Sequence, residues 1–440
     1  MVRSSMSPRG RTTRRGFLRT AASALGAAAA APYVAPSSSL GRGGHVAPSD
    51  RITMGFIGLG TQGRGHLLGG AWTYVAGGYV AREDVEVLAV CDAWRSRRED
   101  ACRRVNEHTS ARRRGGRGNC VAVRDFREVL ARGDIDAVLI ATPIHWHGVM
   151  AILAAEAGKD IYCEKPTAVT VREGRAMVDA VRRHGCVFQA GTQQRSEYGG
   201  KFRRACELVR SGRIGRLERV YAWRAGGGVS WGRAGTPQPV PDELDWDLWL
   251  GPAPWEPYDG HCGAHKFATG NINWGQHHWD IVQWALDADR TGPVEIGFEE
   301  GHLVCRYAGG VVVHGCPYPG EPVGGSGGAC FVGTEGRIAV DRERLVGHPP
   351  SVLLGPPAPS DVRLPRNDGH SDDFLRCVRT RRRTICDVRT AHRAASVMLL
   401  GGIAQRLRRP LKWDPRRERF VNDEEADRLL GMAKRPPWRV

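Results

Sequence analysis

Apolar residues along the chain fall into short runs, the first of which begins near residue 51. Residues 51–57 and 85–90 are both short and strongly apolar, as buried strands of a parallel sheet are. Two more such runs, residues 135–141 and 160–163, follow at the spacing of strand–helix–strand units. The pattern therefore predicts a doubly wound α/β domain over residues 51–170.

A glycine-rich turn follows directly on the first apolar run. Gly58, Gly60 and Gly63 have the spacing G-x-G-x-x-G. The first glycine permits a tight turn, the second lets the backbone approach a pyrophosphate, and the third allows a helix to pack closely. Thr61 and Gln62 stand where that helix begins, and free N–H groups there favour phosphate binding. The turn predicts a Rossmann domain that binds a dinucleotide.

An acid stands at the end of the second run. Asp92 follows that run directly, and a carboxylate there can bind both ribose hydroxyls of the cofactor. The usual distance from the glycines is about 20 residues, and an insert at residues 69–84 accounts for the greater distance here. Asp92 favours NAD over NADP, but Arg95 and Arg97 lie close enough to leave NADP open. The expected cofactor is NAD or NADP.

Polar residues also follow the third and fourth runs. Thr142 and Pro143 come after the third run, and Glu164 and Lys165 after the fourth. The carboxyl ends of strands in such a sheet face the ligand crevice, so we expect all four residues at the cofactor. A lysine before a proline is more often a surface residue, but its position at a strand end favours a site for Lys165 beside the nicotinamide.

The amino-terminal segment has the pattern of a targeting signal. Arg14 and Arg15, followed by Phe17 and Leu18, precede an alanine-rich run at residues 21–31. The order resembles a twin-arginine export signal. The run is too short, and its side chains are too small, to span a bilayer. The alternative is a basic tail before an alanine helix.

This signal predicts where the protein works. We expect a signal peptide over residues 1–31, a linker over residues 32–50, passage through the twin-arginine translocase, and a location in the periplasm or cell envelope. Proteins on this path cross the membrane folded, and no dissolved nicotinamide pool exists outside the cytoplasm. The cofactor is therefore expected to be tightly held.

The basic charge does not indicate a nucleic-acid partner. The net charge is +17, and seven of the arginines lie in the first 42 residues. The remaining basic residues form short clusters without interleaved aromatics, and no nucleic-acid-binding motif is present. These clusters are typical of solvated faces, so we expect no nucleic-acid partner.

Together these motifs resemble the Gfo/Idh/MocA oxidoreductases. The glycine turn, Asp92, the A-T-P ending at Pro143 and the E-K-P that contains Glu164 and Lys165 carry the resemblance. Further similar segments are residues 191–196, 244–252, 274–281, 413–415 and 424–430. The later segments are similar to a branch of the family that commonly carries a twin-arginine signal.

The resemblance implies a second domain over residues 171–440. That domain would be α+β, with an open, mostly antiparallel sheet that closes over the nicotinamide. The resemblance also implies a cofactor contact at Gln194, a substrate contact at Arg195, a carbohydrate substrate and a homo-oligomer. Apolar runs predict strands at residues 303–307, 311–314, 330–333 and 337–340, and a late helix at 391–408.

A histidine pair supplies the second set of candidate residues. In a helix that starts near residue 273, Asn273, His277 and Asp280 share a face. The family often has Asp and His four residues apart, and here Asn273 stands in the Asp position. Asn binds a sugar hydroxyl but carries no proton, so Asp280 or Lys165 would assist His277. His278 is expected to be structural.

Two other interpretations of the histidines stay open. In the first, His277 and His278 are a purely structural pair. A metal site formed by His265, His277 and Asp280 is the second, but no spacing demands it, and we expect no metal.

These residues define an expected reaction and its alternatives. His277 would take the hydroxyl proton of a sugar or cyclitol, and Lys165 would stabilise the alkoxide that forms. The first function class is an exported sugar or polyol oxidoreductase with a retained NAD(P). The second is an NAD-dependent, redox-assisted glycosidase, and the third is a catalytically inactive sugar-binding relative.

Overall fold

The computed structural model describes residues 46–70, 73–112, 118–224, 227–229, 235–263, 266–270, 272–322, 324–355 and 358–438. The expected signal peptide at residues 1–31, with Arg14 and Arg15, lies outside these residues, as does most of the linker at 32–50. The chain divides into the units Met1–Arg51 and Ile52–Val440. The second unit carries the elements below, and among the described residues no helix combines the length and apolarity needed to cross a membrane.

Strands and helices alternate at the start of the second unit. In chain order they are β1 (Ile52–Ile57), α1 (Thr61–Leu68), β2 (Val85–Cys91), α2 (Arg95–Arg112), β3 (Val121–Val123), α3 (Phe126–Leu130), β4 (Ala137–Ile140), α4 (Ile144–Glu156), β5 (Asp160–Cys163), α5 (Val171–His184) and β6 (Phe188–Ala190). The six strands form one sheet in the order β3-β2-β1-β4-β5-β6, and every pair in it is parallel. This strand order is that of a Rossmann domain, so the predicted fold is confirmed.

The central strands of this sheet end level with one another. Ile57, the last residue of β1, is paired with Cys91 of β2 and with Ile140 of β4. Ile140 is in turn paired with Cys163 of β5. The residues that follow these strands therefore lie along a single edge of the sheet, where such folds bind their ligands.

A second sheet dominates the rest of the unit. Its elements and their neighbours are α6 (Lys201–Arg210), β7 (Leu217–Trp223), β8 (Gly227–Val229), α7 (Trp246–Leu250), β9 (Ala268–Gly270), α8 (Ile272–Ala285), β10 (Glu295–Glu299), β11 (His302–Arg306), β12 (Val312–His314), β13 (Gly328–Gly333), β14 (Arg337–Asp341), β15 (Leu345–His348), α9 (His370–Thr380), α10 (Val388–Leu407), β16 (Leu411–Asp414), β17 (Arg419–Phe420) and α11 (Glu424–Arg428).

This second sheet is mostly antiparallel, as expected. It has nine strands in the order β15-β14-β13-β7-β12-β11-β10-β16-β17. Only the pairing of β12 with β7 is parallel within it, and β8 and β9 form a separate antiparallel pair. The four strands expected between residues 303 and 340 are confirmed as β11 to β14.

Three helices cover one face of the second sheet. Phe202 from α6, Trp279 from α8 and Met398 from α10 are fully buried in one apolar cluster with Val220 and Phe331 of the sheet. Burial of such large apolar side chains is the main stabilising contribution in a core of this kind. Helix α8 is therefore held between the sheet and α10, which fixes the histidine pair that α8 carries.

The parallel sheet extends beyond the expected boundary at residue 170. Strand β6 adds to its edge after that position. Phe374 and Leu375 of α9 then return to it from far along the chain, packing in one cluster with Tyr162 and Val187. A single cut in the sequence therefore does not separate the two sheets.

Candidate active site

A cavity of about 620 Å³ lies at the carboxyl edge of the parallel sheet. Its lining includes nine residues expected from the sequence at the cofactor: Gly58, Gly60, Thr61, Gln62, Asp92, Thr142, Pro143, Glu164 and Lys165. Trp274 and His277 of α8 and Arg342 line it as well. The fold thus brings the strand ends and the histidine helix together around one space.

The glycine turn has the geometry that a dinucleotide needs. Gly58 has φ +89°, and a Cβ there would lie 2.6 Å from the backbone of Ala141. A Cβ on Gly63 would lie 1.9 Å from the carbonyl oxygen of Gly58, whereas one on Gly60 would meet only Arg97 Nη1, at 4.0 Å. The turn is therefore closed on the protein side and open on the cavity side at Gly60, which leaves space for a pyrophosphate.

The helix after the turn offers donors to that space. Gly60 caps α1 without a side chain, and no side-chain hydrogen bond satisfies the first N–H groups of the helix. Unsatisfied N–H groups and the positive end of the helix dipole attract phosphate oxygens. The residues present therefore fit a nicotinamide dinucleotide.

Asp92 lines the cavity and also holds the turn. Its Oδ2 accepts a hydrogen bond of 2.7 Å from the backbone N–H of Leu59, and its Oδ1 accepts one of 2.9 Å from that of Trp94. Burial raises the pKa of Asp92, and these two N–H groups oppose that rise. Arg97 and Arg124 line the same part of the cavity, so the choice between NAD and NADP stays open.

Glu164 is the buried anion of the site. Its Oε1 accepts hydrogen bonds from Gln62 Nε2 at 3.3 Å, from His66 Nε2 at 2.9 Å and from Gln193 Nε2 at 3.0 Å. Burial raises its pKa, but the His66 hydrogen bond and the charge of Lys165 outweigh burial and hold the pKa below its usual value. His66 and Gln193 were not expected from the sequence.

Lys165 lies beside this anion and lines the cavity. Its backbone N–H donates to Glu164 Oε2 at 3.2 Å, which fixes the lysine backbone. Burial lowers the pKa of the Lys165 ammonium, the charge of Glu164 raises it, and the charge of Arg342 lowers it again. The net lowering makes Lys165 a stronger acid than a surface lysine.

His277 projects from α8 with one nitrogen already engaged. Its Nδ1 lies 2.8 Å from the carbonyl oxygen of Thr192. A carbonyl only accepts, so Nδ1 carries the proton and Nε2 is left with a lone pair. Burial, and then the charges of Lys165 and Arg342, lower the pKa of His277 well below its usual value. The ring is therefore a neutral base on the cavity wall.

Asn273 lies in the first turn of α8. Its side chain, and the whole of His265, are outside the described part of the chain, so the expected substrate contact of Asn273 stays a prediction. Among the residues that the structure does describe, no three His, Cys, Asp or Glu side chains come close enough to hold a metal ion.

The structure corrects the expected roles of Asp280 and Arg195. Arg195 Nη2 lies 2.8 Å from Asp280 Oδ1 and 2.7 Å from Asp289 Oδ1. The Arg195 and Asp280 side chains are 2% and 0% exposed, and neither lines the cavity. Asp280 comes almost one helical turn after His277. At that position its side chain forms a buried ion pair and does not line the cavity.

The cofactor contact expected at Gln194 is corrected in the same way. Gln194 is fully buried and is absent from the cavity lining. Its Nε2 donates to the carbonyl oxygen of His277 at 3.2 Å. Gln194 therefore positions the backbone of α8 instead of contacting a ligand.

Arg342 is a site residue that the sequence did not reveal. It lies in the turn after β14, and its guanidinium stacks between Trp274 and Tyr198, 4.9 and 4.8 Å from the two ring centroids. In the described part of the chain it has no carboxylate within 4.0 Å. Only the fold brings residue 342 to the histidine helix, and no local motif marks it.

The parallel sheet, its glycine turn and the basic residues opposite it define a dinucleotide-dependent oxidoreductase fold. Two family models confirm this. One, described as "Oxidoreductase family, NAD-binding Rossmann fold", matches residues 52–192, and the other, the C-terminal alpha/beta domain of the same family, matches residues 217–303 and 360–440. The chain belongs to the Gfo/Idh/MocA oxidoreductase family.

Solved structures share this fold. The WlbA dehydrogenase from Bordetella pertussis, in complex with NADH and UDP-GlcNAcA, has a TM-score of 0.54 and 18% identity over 83% of this chain and 98% of that one. The aldose-aldose oxidoreductase from Caulobacter crescentus has a TM-score of 0.54 and 18% identity over 82% and 99%. At these identities the likeness shows the fold alone.

Curated relatives are more similar in sequence over a shorter region. A glycosyl hydrolase family 109 protein of Shewanella baltica is 31% identical over 217 residues, which is 46% of this chain and 44% of that protein. An alpha-N-acetylgalactosaminidase of Shewanella oneidensis is 32% identical over 203 residues, 46% and 41% of the two chains. The chain spans less than half the length of these relatives.

Proposed function

We propose that the protein transfers hydride between a sugar or polyol CH–OH group and an NAD(P) that it holds tightly. The observation that carries this proposal is the convergence of Lys165 and a neutral His277 on the cavity that starts at the glycine turn. A general base and a cation on one cavity wall are the groups that alcohol oxidation requires. We take the substrate class from the names of solved proteins with the same fold, a dehydrogenase in complex with NADH and UDP-GlcNAcA and an aldose-aldose oxidoreductase.

The residues that would hold the cofactor are those of the turn and the strand ends. The N–H groups at the start of α1, next to Gly60, would bind the pyrophosphate, and Asp92 would bind the adenosine ribose. When bound, the nicotinamide ring supplies the site at which a hydride is accepted or returned.

His277 and Lys165 would divide the proton and charge chemistry between them. Nε2 of His277 takes the proton of the substrate hydroxyl, while the Nδ1–H bond to Thr192 holds the ring in the required tautomer. The Lys165 ammonium stabilises the negative charge that develops on the substrate oxygen. Arg342 is a second cation in the lining of the cavity. The carboxylate of Glu164 is already hydrogen-bonded to His66.

A redox-assisted glycosidase is the second candidate, because curated relatives at 31–32% identity are named as glycosidases. Such an enzyme oxidises the sugar, breaks the glycosidic bond, and returns the hydride. His277 and Lys165 would serve the oxidation and reduction steps of both candidate functions. The two functions differ in whether the reaction leaves a net oxidised or reduced product or returns the hydride to the same sugar.

An experiment with two readouts separates these candidates. The purified protein is given free sugars, polyols and nitrophenyl glycosides, and both nicotinamide absorbance and nitrophenol release are followed. A stoichiometric change in nicotinamide absorbance without nitrophenol supports the oxidoreductase. Many turnovers of nitrophenol without net nicotinamide reduction support the glycosidase, and no response in either readout from any compound contradicts both.

We also propose export by the twin-arginine route, on the strength of the Arg14 and Arg15 pattern. The test is cell fractionation of the full chain beside an Arg14→Lys/Arg15→Lys variant. Periplasmic protein that disappears in the variant supports export, and equal cytoplasmic amounts of both contradict it. Homo-oligomerisation stays a prediction, which light scattering on the purified protein measures.

A further inference from the structure

A second pocket, with a volume of about 560 Å³, lies outside the candidate active site. Seven of the nine side chains that line it are arginines: Arg172, Arg175, Arg290, Arg389, Arg393, Arg416 and Arg417, with Val171 and Glu418. None of these residues lines the candidate active site. The family resemblance and the proposed hydride transfer assign no role to this arginine pocket.

A single carboxylate serves several cations at the base of the pocket. Glu418 Oε2 accepts from Arg175 Nε at 2.8 Å, and its Oε1 lies 2.8 Å from Arg393 Nη1 and 2.9 Å from His392 Nε2. Burial raises the pKa of Glu418, but the hydrogen bonds from Arg175 and His392 outweigh burial and lower it below its usual range. Glu418 therefore stays an anion whose charge is already shared.

The other arginines lack such partners. Arg172, Arg290, Arg389 and Arg416 have no carboxylate within 4.0 Å in the described part of the chain, and Arg417 reaches its nearest one at 3.8 Å. Arg172 Nη2 donates to the carbonyl oxygen of Asp427 at 3.1 Å, but no described carboxylate balances its charge or that of the other three, and four like charges around one concave space repel each other. The pocket thus has an excess of positive charge that the described residues do not balance.

The positions of these arginines along their helices increase the repulsion. Arg172 and Arg389 are each the second residue of a helix, α5 and α10. Cations at a helix amino terminus face the positive end of the helix dipole, which is unfavourable, whereas an anion there is stabilised. Each helix also carries an acid at this end, Glu173 in the first turn of α5 and Asp387 as the N-cap of α10, but neither forms an ion pair with Arg172 or Arg389 within 4.0 Å in the described part of the chain.

A buried, unsatisfied donor is the second and independent observation. The side chain of Arg393 is only 10% exposed, and its Nε has no hydrogen-bond partner among the residues that the structure describes. A buried N–H group without an acceptor is destabilising, so such groups are normally satisfied by protein or ligand. Arg393 lines the arginine pocket, so an acceptor bound there would lie beside its guanidinium group.

We propose that the arginine pocket binds a tetrahedral oxyanion with two negative charges, the chemistry shared by phosphate and sulfate groups. Guanidinium groups bind such oxyanions through paired N–H donors, which makes arginine better suited to them than lysine. The pocket is larger than one oxyanion, and its volume falls within the range of sites that hold a small organic ligand. It therefore has room for the group that carries the phosphate or sulfate.

Calorimetric titration of the full chain tests this proposal. The probes are inorganic phosphate, inorganic sulfate and glucose 6-phosphate, each against sodium chloride at the same ionic strength. The variants are Arg389→Gln and Arg416→Gln, which remove unpaired guanidinium groups and break no ion pair. Arg382→Gln removes the same charge from an exposed position outside the pocket and is the matched control.

We expect saturable binding of a divalent oxyanion that each pocket variant weakens about tenfold or more, and that Arg382→Gln leaves unchanged. Tighter binding of phosphate than sulfate identifies a phosphate site, and the reverse identifies a sulfate site. No heat beyond that of chloride would overturn the proposal, and so would equal affinity in wild type and both pocket variants. Because the readout is binding, it does not depend on the hydride-transfer reaction.

Discussion

The Nδ1 atom of His277 lies 2.8 Å from the carbonyl oxygen of Thr192, and both residues are buried. This contact selects the tautomer in which Nε2 is the basic nitrogen. It also joins α8 of the second sheet to the loop that follows the last strand of the first sheet. The orientation of the base is therefore a property of how the two sheets pack together.

Replacement of the base should separate chemistry from cofactor binding. We expect His277→Ala to lower the rate of hydride transfer by about 10²–10⁴-fold, the usual contribution of a positioned general base. Nucleotide retention should be unchanged, because His277 is not one of the residues of the glycine turn expected to bind the pyrophosphate. The measurement is single-turnover nicotinamide absorbance with the bound nucleotide quantified in parallel. His108→Ala, at an exposed site on α2, is the control, and a normal rate in His277→Ala would remove His277 from the mechanism.

The glycine turn offers a pair of variants with opposite expectations. In Gly60→Ala the new Cβ meets only Arg97 Nη1 at 4.0 Å, so we expect the protein to fold but to lose its nucleotide. In Gly63→Ala the new Cβ would lie 1.9 Å from the Gly58 carbonyl oxygen, so we expect it to fail to fold stably. Thermal melting and nucleotide content after purification measure both effects. Full nucleotide retention in Gly60→Ala would contradict the assignment of the turn.

The Arg195–Asp280 ion pair should matter for stability and not for chemistry. Asp280→Asn leaves Asp289 as the remaining carboxylate partner of Arg195, and breaking a buried pair of this kind costs about 3–5 kcal/mol. The free energy of unfolding should fall by that order in denaturant titration. The pH profile of the protein that remains folded should match wild type. A shifted profile with an unchanged free energy of unfolding would return Asp280 to the catalytic residues.

Buried histidines should make folding sensitive to mild acid. Burial lowers the pKa of His145 to about 3 and of His370 to about 4, against about 6.5 in an unfolded chain. Their contribution to stability is complete above pH 6.5 and is lost as the pH falls toward the folded-state values, because only the unfolded chain takes up protons there. At pH 5, each of these two histidines lowers the free energy of unfolding by about 2 kcal/mol relative to neutral pH.

Melting temperatures at pH 7 and pH 5 measure this effect. His145→Gln keeps a donor for the Trp249 carbonyl oxygen, to which His145 Nε2 lies at 2.9 Å, but cannot titrate. We expect its melting temperature to fall less between the two pH values than that of wild type or of His108→Gln. Equal falls in all three proteins would show that the buried His145 is not the source.

What the sequence revealed about the site depended on short-range patterns. Gly58, Gly60 and Gly63 are marked by spacing, and Asp92 and Lys165 by their positions at strand ends, so both groups could be found without the fold. The parallel sheet followed from the same apolar runs. These signals extend over a few residues, which is why they can be recognised without the fold, and the cofactor contacts expected of these residues stay predictions.

The other features of the site depend on contacts between segments that are far apart in the sequence. Arg195 and Asp280 are 85 positions apart, and the helical pattern alone suggested that Asp280 faces the same way as His277. Arg342 reaches the cavity only because β14 ends beside α8. No property of the isolated segments distinguishes a buried ion pair from a catalytic one, and the tertiary packing decides between them.

Transfer of a labelled hydride is the sharpest test of the proposed reaction between a sugar and the bound nucleotide. The purified protein is incubated with sugars and methyl glycosides deuterated at carbon, and the nucleotide is then released and weighed by mass spectrometry. We expect wild-type protein to yield a dinucleotide that carries one deuterium, and Lys165→Ala to yield the same dinucleotide without label. Because a glycosidase returns the deuterium to its product, the reaction is also quenched during turnover, when the nucleotide still carries the label, so the measurement tests both candidate functions. Absence of a dinucleotide, or an unlabelled dinucleotide from wild type with every compound, would contradict hydride transfer from a sugar to a bound nucleotide.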